Sequence, residues 1–177
     1  MPLIERYRDR LPLEDGDPVV TLHEGSTPLV EALGDEAWSD LVRWHDATLR
    51  AQFAAHAGQE VDHAGDGFFV AFEDPAAAVQ CALAIQRGLA AHRRTAGFAP
   101  QVRVGLHADD AIGDDEGYRG RAVHVAARVG AEAGGGEILA SAGTLQDVGV
   151  DIDTGESRVA HLKGVSEAVT LLPLRWT

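Results

Sequence analysis

The apolar positions of this chain change period several times, and each change marks an element. Between Asp35 and Ala55, Trp38, Leu41, Val42, Leu49 and Phe53 recur at helical spacing with His45 on the same stripe, which predicts one long helix. Before it, Val19–Leu22 is a short β-branched run that reads as a buried strand. The first 17 residues read as a short helix and a Pro- and Asp-rich connector, LPLEDGDP. After the long helix, GQEVDHAGDGFFVAF holds two strand-like runs around Gly-Asp-Gly, a hairpin with Asp66-Gly67 as its turn pair. EDPAAAVQCALAIQRGLAAHRR predicts a helix with Asp74 as N-cap and Pro75 at the first helical position. QVRVGLHA reads as a strand, GYRGRAVHVAARVGAEAGGG as a helix stopped by glycines, and EILAS as a further strand. A short helix near Ser141–Asp147 and closing strands around Arg158–Leu162 and Ala168–Leu174 complete the order.

The succession β-α-β-β-α-β-α-β-α-β-β places the chain in the α+β class, with a mixed sheet flanked by helices. Its first six elements form the ferredoxin-like β-α-β-β-α-β core, and the rest are C-terminal additions. Residues 1–17 are read as an N-terminal arm and 18–177 as one domain. With 177 residues, 45% of them hydrophobic, the chain can bury a core of its own.

Composition restricts the partners. A formal net charge of −13 repels nucleic-acid backbones, so no nucleic-acid partner is expected. The apolar runs are too short to span a bilayer, and the start, MPLIERYRDRLP, is charged throughout rather than shaped like a signal peptide. With a single cysteine, Cys81, in apolar surroundings and no disulfide to form, a cytoplasmic protein is expected. Any anionic ligand needs local cations or a metal to offset the acidic surface.

One turn offers the first candidate chemistry. VVTLHEGSTPLVEALGDEAW is a strand, a turn and a helix start, and backbone N–H groups in such a turn favour phosphate. His23, Glu24, Gly25, Ser26 and Thr27 are the candidate nucleotide-binding residues there.

Three stretches together resemble the catalytic domain of class III nucleotidyl cyclases, the adenylate and guanylate cyclases. They are EGST with LGDEAWSDLVRWHDATLR, then HAGDGFFVAFEDPAAAVQCALAIQRGL, then VRVGLHA, GYRGRAVHVAARV, EILAS and HLKGVSEAVTLLPL, in family order over residues 19–175. The resemblance implies a homodimer with sites between facing subunits and two aspartates holding two Mg or Mn ions on a nucleoside triphosphate. It also implies purine-reading residues, and a helical Asn and Arg four residues apart that support attack of the ribose 3′-hydroxyl on the α-phosphate. In this chain the hairpin aspartate is matched by Asp66 and the arginine by Arg128. The first-strand aspartate falls on Leu22, the adenine-reading lysine on Asp62, the second purine position on Gly117 and the asparagine on His124. Lys163, the only lysine, matches the phosphate-contacting lysine of the LKG loop.

Each position has a plainer reading beside the functional one. Asp66 fits a metal ligand or merely an Asp-Gly turn; Leu22 fits only a core strand residue. His23, His63, Asp66 and His107 could form a substitute transition-metal site, but only if a strand side chain reversed its direction. Asp62 fits a carboxylate that accepts the N1–H and N2–H donors of guanine, or a solvent-facing strand residue. His124 can donate as asparagine does, and the plainer reading of both it and Arg128 is a pair at a dimer surface. Lys163 fits a solvated turn, and Asp109, Asp110, Asp114, Asp115 and Glu116 read as a solvated acidic loop.

Residues 1–31 carry a second resemblance. LIERYRDRLPLEDGDPVVTLHEGSTPLVEA is similar to the N-terminal segment of threonine synthase, a pyridoxal-phosphate enzyme. A fusion at the shared EGST would explain the missing aspartate. No pyridoxal phosphate is expected, because the rest of that fold is absent and Lys163 lies in the cyclase-like LKG motif. The combined expectation is a degenerate cyclase-like domain in nucleotide signalling, a dimerising or nucleotide-binding module. The alternatives are an active diverged cyclase and a folded fusion product without a ligand.

Overall fold

The computed structural model describes residues 35–65, 67–96, 99–109, 112–114, 117–119, 121–146, 148–149 and 151–177. The chain divides into two units at Arg43/Trp44, and the architecture below is that of residues 44–177 together with the helix that leads into them. The expected arm, the strand at Val19–Leu22, the EGST turn and Asp66 all lie outside the described residues.

Helix α1, Asp35–Ala55, has the bounds that its apolar period predicts. His45, Leu49 and Phe53 are buried along its stripe, the histidine included. A positive φ at Ala57 and then Gly58 reverse the chain into the hairpin β1, Gln59–Ala64, and β2, Gly67–Ala71. A Cβ on Gly58 would strike the Phe72 ring at 2.6 Å, so this reversal needs glycine for space. The register pairs Ala64 with Gly67 at the end of the hairpin. Gly67 is therefore the first strand residue and not part of the expected turn pair. The positive φ falls on Gly65, as tight hairpin connections require. A bulge between Glu60 and Asp62 breaks the alternation of β1.

Helix α2, Pro75–Ala96, opens as its first residues predict: the Ala76 N–H donates to Asp74 Oδ1 at 2.9 Å. It is apolar on two faces. Val79, Ala82 and Leu83 pack under one side of the main sheet, and Cys81, Ile85 and Leu89 pack with Leu49, Phe53 and the hairpin aromatics.

The main sheet is mixed and four-stranded, in the order β3-β6-β8-β7, with β3 at Val104–Leu106, β6 at Ile138–Ser141, β7 at Arg158–Ala160 and β8 at Val169–Pro173. β3 and β6 run parallel, and the other two pairs are antiparallel. All four residues of β6 are buried, because helices cover both its faces. Ile138 and Ala140 meet α2, while Leu139 meets helix α3, Arg121–Glu132, through Val125 and Val129. Helix α4, Ala142–Gln146, follows β6 directly.

Of the acids read as a solvated loop, Asp109 is exposed outside any strand, Asp114 closes a strand, and Asp110, Asp115 and Glu116 lie outside the described residues. Strand β4, Ile112–Asp114, pairs antiparallel with β5, Gly117–Arg119. GYR is thus strand, and the helix begins only at Arg121. Ile112 and Tyr118 are strand-favouring residue types. The closing strand β7 also ends earlier than expected, at Ala160, because Leu162 starts a turn.

Candidate functional site

Two groups of polar side chains and one basic corner stand out around this framework. The first group ties α1 to the hairpin. Arg50 donates to Glu60 through Nε at 2.8 Å and Nη2 at 2.9 Å, a bidentate pair, and reaches Asp46 at 3.3 Å. The same guanidinium lies 4.8 Å over the Phe68 ring, on which His63 stacks at 4.3 Å. The Arg50 bond holds the Glu60 carboxyl below its ordinary range. This network fixes the hairpin at its base, beside Asp62.

Asp62 itself is exposed and turns back on its own strand, where its Oδ1 accepts the His63 N–H at 2.9 Å. One bond leaves most of its acceptor sites open. Gly117 is the first residue of β5, paired with Asp114. It has no side chain with which to read a base.

The second group is buried at the carboxyl ends of the parallel strands β3 and β6. His107 Nδ1 is hydrogen-bonded to Ser141 Oγ at 2.8 Å, Ser141 to Thr144 Oγ1 at 2.8 Å, and the Ala108 N–H donates to Thr144 at 2.8 Å. Ser141 and Thr144 are buried, and His107 Nε2 is enclosed 3.8 Å from Asp109 Oδ2 without a hydrogen bond. Burial, with help from Arg121, pushes the His107 pKa below its ordinary value against the pull of Asp109. The enclosed Ser141 hydroxyl is bonded on both sides, so this chain of groups links two strand ends rather than presenting a nucleophile.

The basic corner is built by α3 and the LKG turn. Leu162 and Val165 pack against Val125 and Val129, which seats the turn on the helix. The Val165 N–H donates to the Leu162 carbonyl at 3.0 Å, and Gly164 takes φ +80°. This is the glycine position of a type II turn. A Cβ at Gly164 would stand 3.8 Å from His124 Nε2, so the exposed imidazole lies against the turn backbone. Arg128 is half-buried one helical turn on, and Lys163 is exposed in the turn. Among the described residues neither makes a hydrogen bond or ion pair. Arg121, exposed three residues before His124, extends the same face to an Arg121, His124, Arg128 stripe. That i, i+3, i+7 spacing was available in the sequence as a signal for Arg121, which motif matching alone passes over.

The structure thus brings His124, Arg128 and the Lys163 turn to one corner and leaves Asp62 on the hairpin. His23, Glu24, Gly25, Ser26, Thr27 and Asp66 lie outside the described residues. The substitute metal site does not form from its described members. His63 faces Asp46, Arg50 and Phe68, whereas His107 faces Ser141 and Asp109. Among the described residues no three His, Cys, Asp or Glu side chains gather to hold a metal. No helix among the described residues is long and apolar enough to cross a membrane.

No family model matches the chain. It is 32% identical over 141 residues, 77% of its length, to the Rhizobium meliloti protein named "Putative adenylate cyclase 3", of which it covers 23%. The curated relatives it matches are much longer, and it spans between 14% and 29% of their length. Among solved structures, the guanylyl cyclase Cya2 superposes with a TM-score of 0.72 at 23% identity, over 85% of this chain and 86% of that one. The adenylyl cyclase CyaB of P. aeruginosa superposes with a TM-score of 0.70 at 24% identity, over 86% and 89%.

Proposed function

From the premise that this chain is a catalytic domain of the class III adenylate/guanylate cyclase type, we propose that it is a degenerate member. It serves nucleotide signalling as a nucleotide-binding, dimerising module with little or no cyclase chemistry. The observation that carries this reading is the basic corner. Among the described residues Arg128 and Lys163, beside His124, make no hydrogen bond or ion pair, in a protein of net charge −13. Such cations suit the phosphates of a nucleoside triphosphate.

The loss of chemistry rests on the residues that would have to perform it. Two metal ions need two carboxylates, and Leu22 offers no ligand atom where the first is required. Asp66 is the only matched carboxylate, so the donor set does not fit a two-metal centre. Gly117 supplies no second purine contact. Losing several stabilising groups of about 10²–10³-fold each removes useful turnover.

Titration calorimetry with ATP and GTP, with and without Mn²⁺, tests the reading. Binding without cyclic nucleotide formation, lost in Arg128→Ala, is the expected result. Absence of binding to either nucleotide leaves a folded product without a ligand. One observation favours a second reading, a diverged guanylate-forming cyclase: the exposed Asp62 carboxylate has acceptor sites to spare for guanine donors. Cyclic GTP formation that disappears in Asp66→Ala would establish it. A second copy of the chain is the proposed partner, and sedimentation equilibrium measures that state directly.

A further inference from the structure

His124 differs in kind from the other groups of the basic corner, because its charge depends on pH. Its place is set by the core. Val125 and Val129 on α3 pack with Leu162 and Val165 of the turn, so the helix and the turn cannot slide independently. The ring edge formed by Nε2 and Cδ2 lies 3.8 and 3.9 Å from where a Gly164 Cβ would be. Among the described residues neither ring nitrogen has a hydrogen-bonding partner. Among the described residues, Arg121 and Arg128 lie on its own helix three residues before and four after it, and Lys163 lies in the turn, which His161 and Glu167 flank.

We propose that His124 is a proton-dependent donor to the phosphate chain of the bound nucleotide, so that this corner grips phosphate more tightly as pH falls. The inference rests on the nucleotide-binding reading above and adds a control to the same site. A neutral imidazole offers one N–H; an imidazolium offers two and a unit of positive charge. A polyphosphate anion attracts the imidazolium more strongly than the neutral ring, so proton uptake and binding favour each other. An asparagine here has the same donors at every pH, so the response belongs to this chain's histidine. One added unit charge about 4 Å from an anion in water-like surroundings changes affinity roughly fivefold.

The test is titration calorimetry of the full chain with inorganic triphosphate, free of purine and metal, at about pH 6 and about pH 8. Wild type, His124→Asn and Arg128→Ala are compared. Ionisation of the ligand itself is common to all three and cancels. Wild type is expected to gain roughly fivefold in affinity at the lower pH beyond any gain in His124→Asn, with proton uptake on binding that the variant lacks. Equal pH dependence in wild type and His124→Asn, with binding still lost in Arg128→Ala, overturns the role of His124 alone. No binding by any protein at either pH overturns the nucleotide reading and this inference with it. Far-UV circular dichroism confirms that the exposed substitution leaves the fold intact.

Discussion

The backbone of Gly105 in β3 lies directly against that of Gly130 in α3: a Cβ on Gly105 would fall 2.1 Å from the Gly130 nitrogen. Backbone cannot move aside as a flexible side chain can, so α3 rests on the sheet only because position 105 has no side chain. The relation is one-sided, since a Cβ on Gly130 would meet the Gly105 nitrogen at 3.6 Å, an ordinary contact. Gly105→Ala is therefore expected to cost several kcal/mol, in the range of about 2–4, or to prevent folding. Gly130→Ala is expected to be neutral or to stabilise by up to about 1 kcal/mol through helix propensity. Urea unfolding of the two variants checks the asymmetry, and equal losses would contradict it.

The buried His107 makes stability depend on pH in a definite direction. Its folded pKa lies below the ordinary value of 6.5, so the folded protein prefers the neutral ring. The associated stability is complete above 6.5 and is lost progressively as pH falls from there towards the folded value. Melting temperature should decline on acidification through this window, and the decline should be shallower in His107→Gln. Curves of equal slope would show that another group is responsible.

Ser141 bonds His107 on one side and Thr144 on the other. Ser141→Ala removes both partners at once within a buried site. Unsatisfied buried groups of this kind cost about 1–3 kcal/mol. Chemical denaturation of the variant gives the figure, and a loss near zero would mean that water replaces the hydroxyl.

Asp74 caps α2 through the Ala76 N–H. Asp74→Ala should lower stability by about 1 kcal/mol, and Asp74→Asn by much less, since asparagine caps nearly as well. Thermal unfolding of the pair separates the cap from a general effect of charge.

Burial raises the Cys81 thiol pKa to about 11. The native protein should resist thiol-specific alkylation at about pH 8, and the label should enter only on unfolding, because the thiolate is the reactive form. Rapid native labelling would place Cys81 outside the core.

Features encoded by near neighbours were legible in the linear pattern. The bounds of α1, the Asp74-Pro75 start of α2, the hairpin and the burial of His45 and Cys81 follow from period, capping and turn chemistry, which act over a few residues. The family resemblance pointed to His124, Arg128 and Lys163, and packing of α3 against the turn brings His124 to Gly164. Three-dimensional packing decided what those signals cannot carry. Strand pairing joined Ile112–Asp114 to Gly117–Arg119, although GYR read as the start of a helix. The start of β2 at Gly67 came from the register of two strands, not from either strand alone. The contact between Gly105 and Gly130 and the seating of His124 on Gly164 join residues 25 and 40 positions apart. Such contacts depend on the distance between a helix and the backbone it covers, and no local period in the chain records that distance.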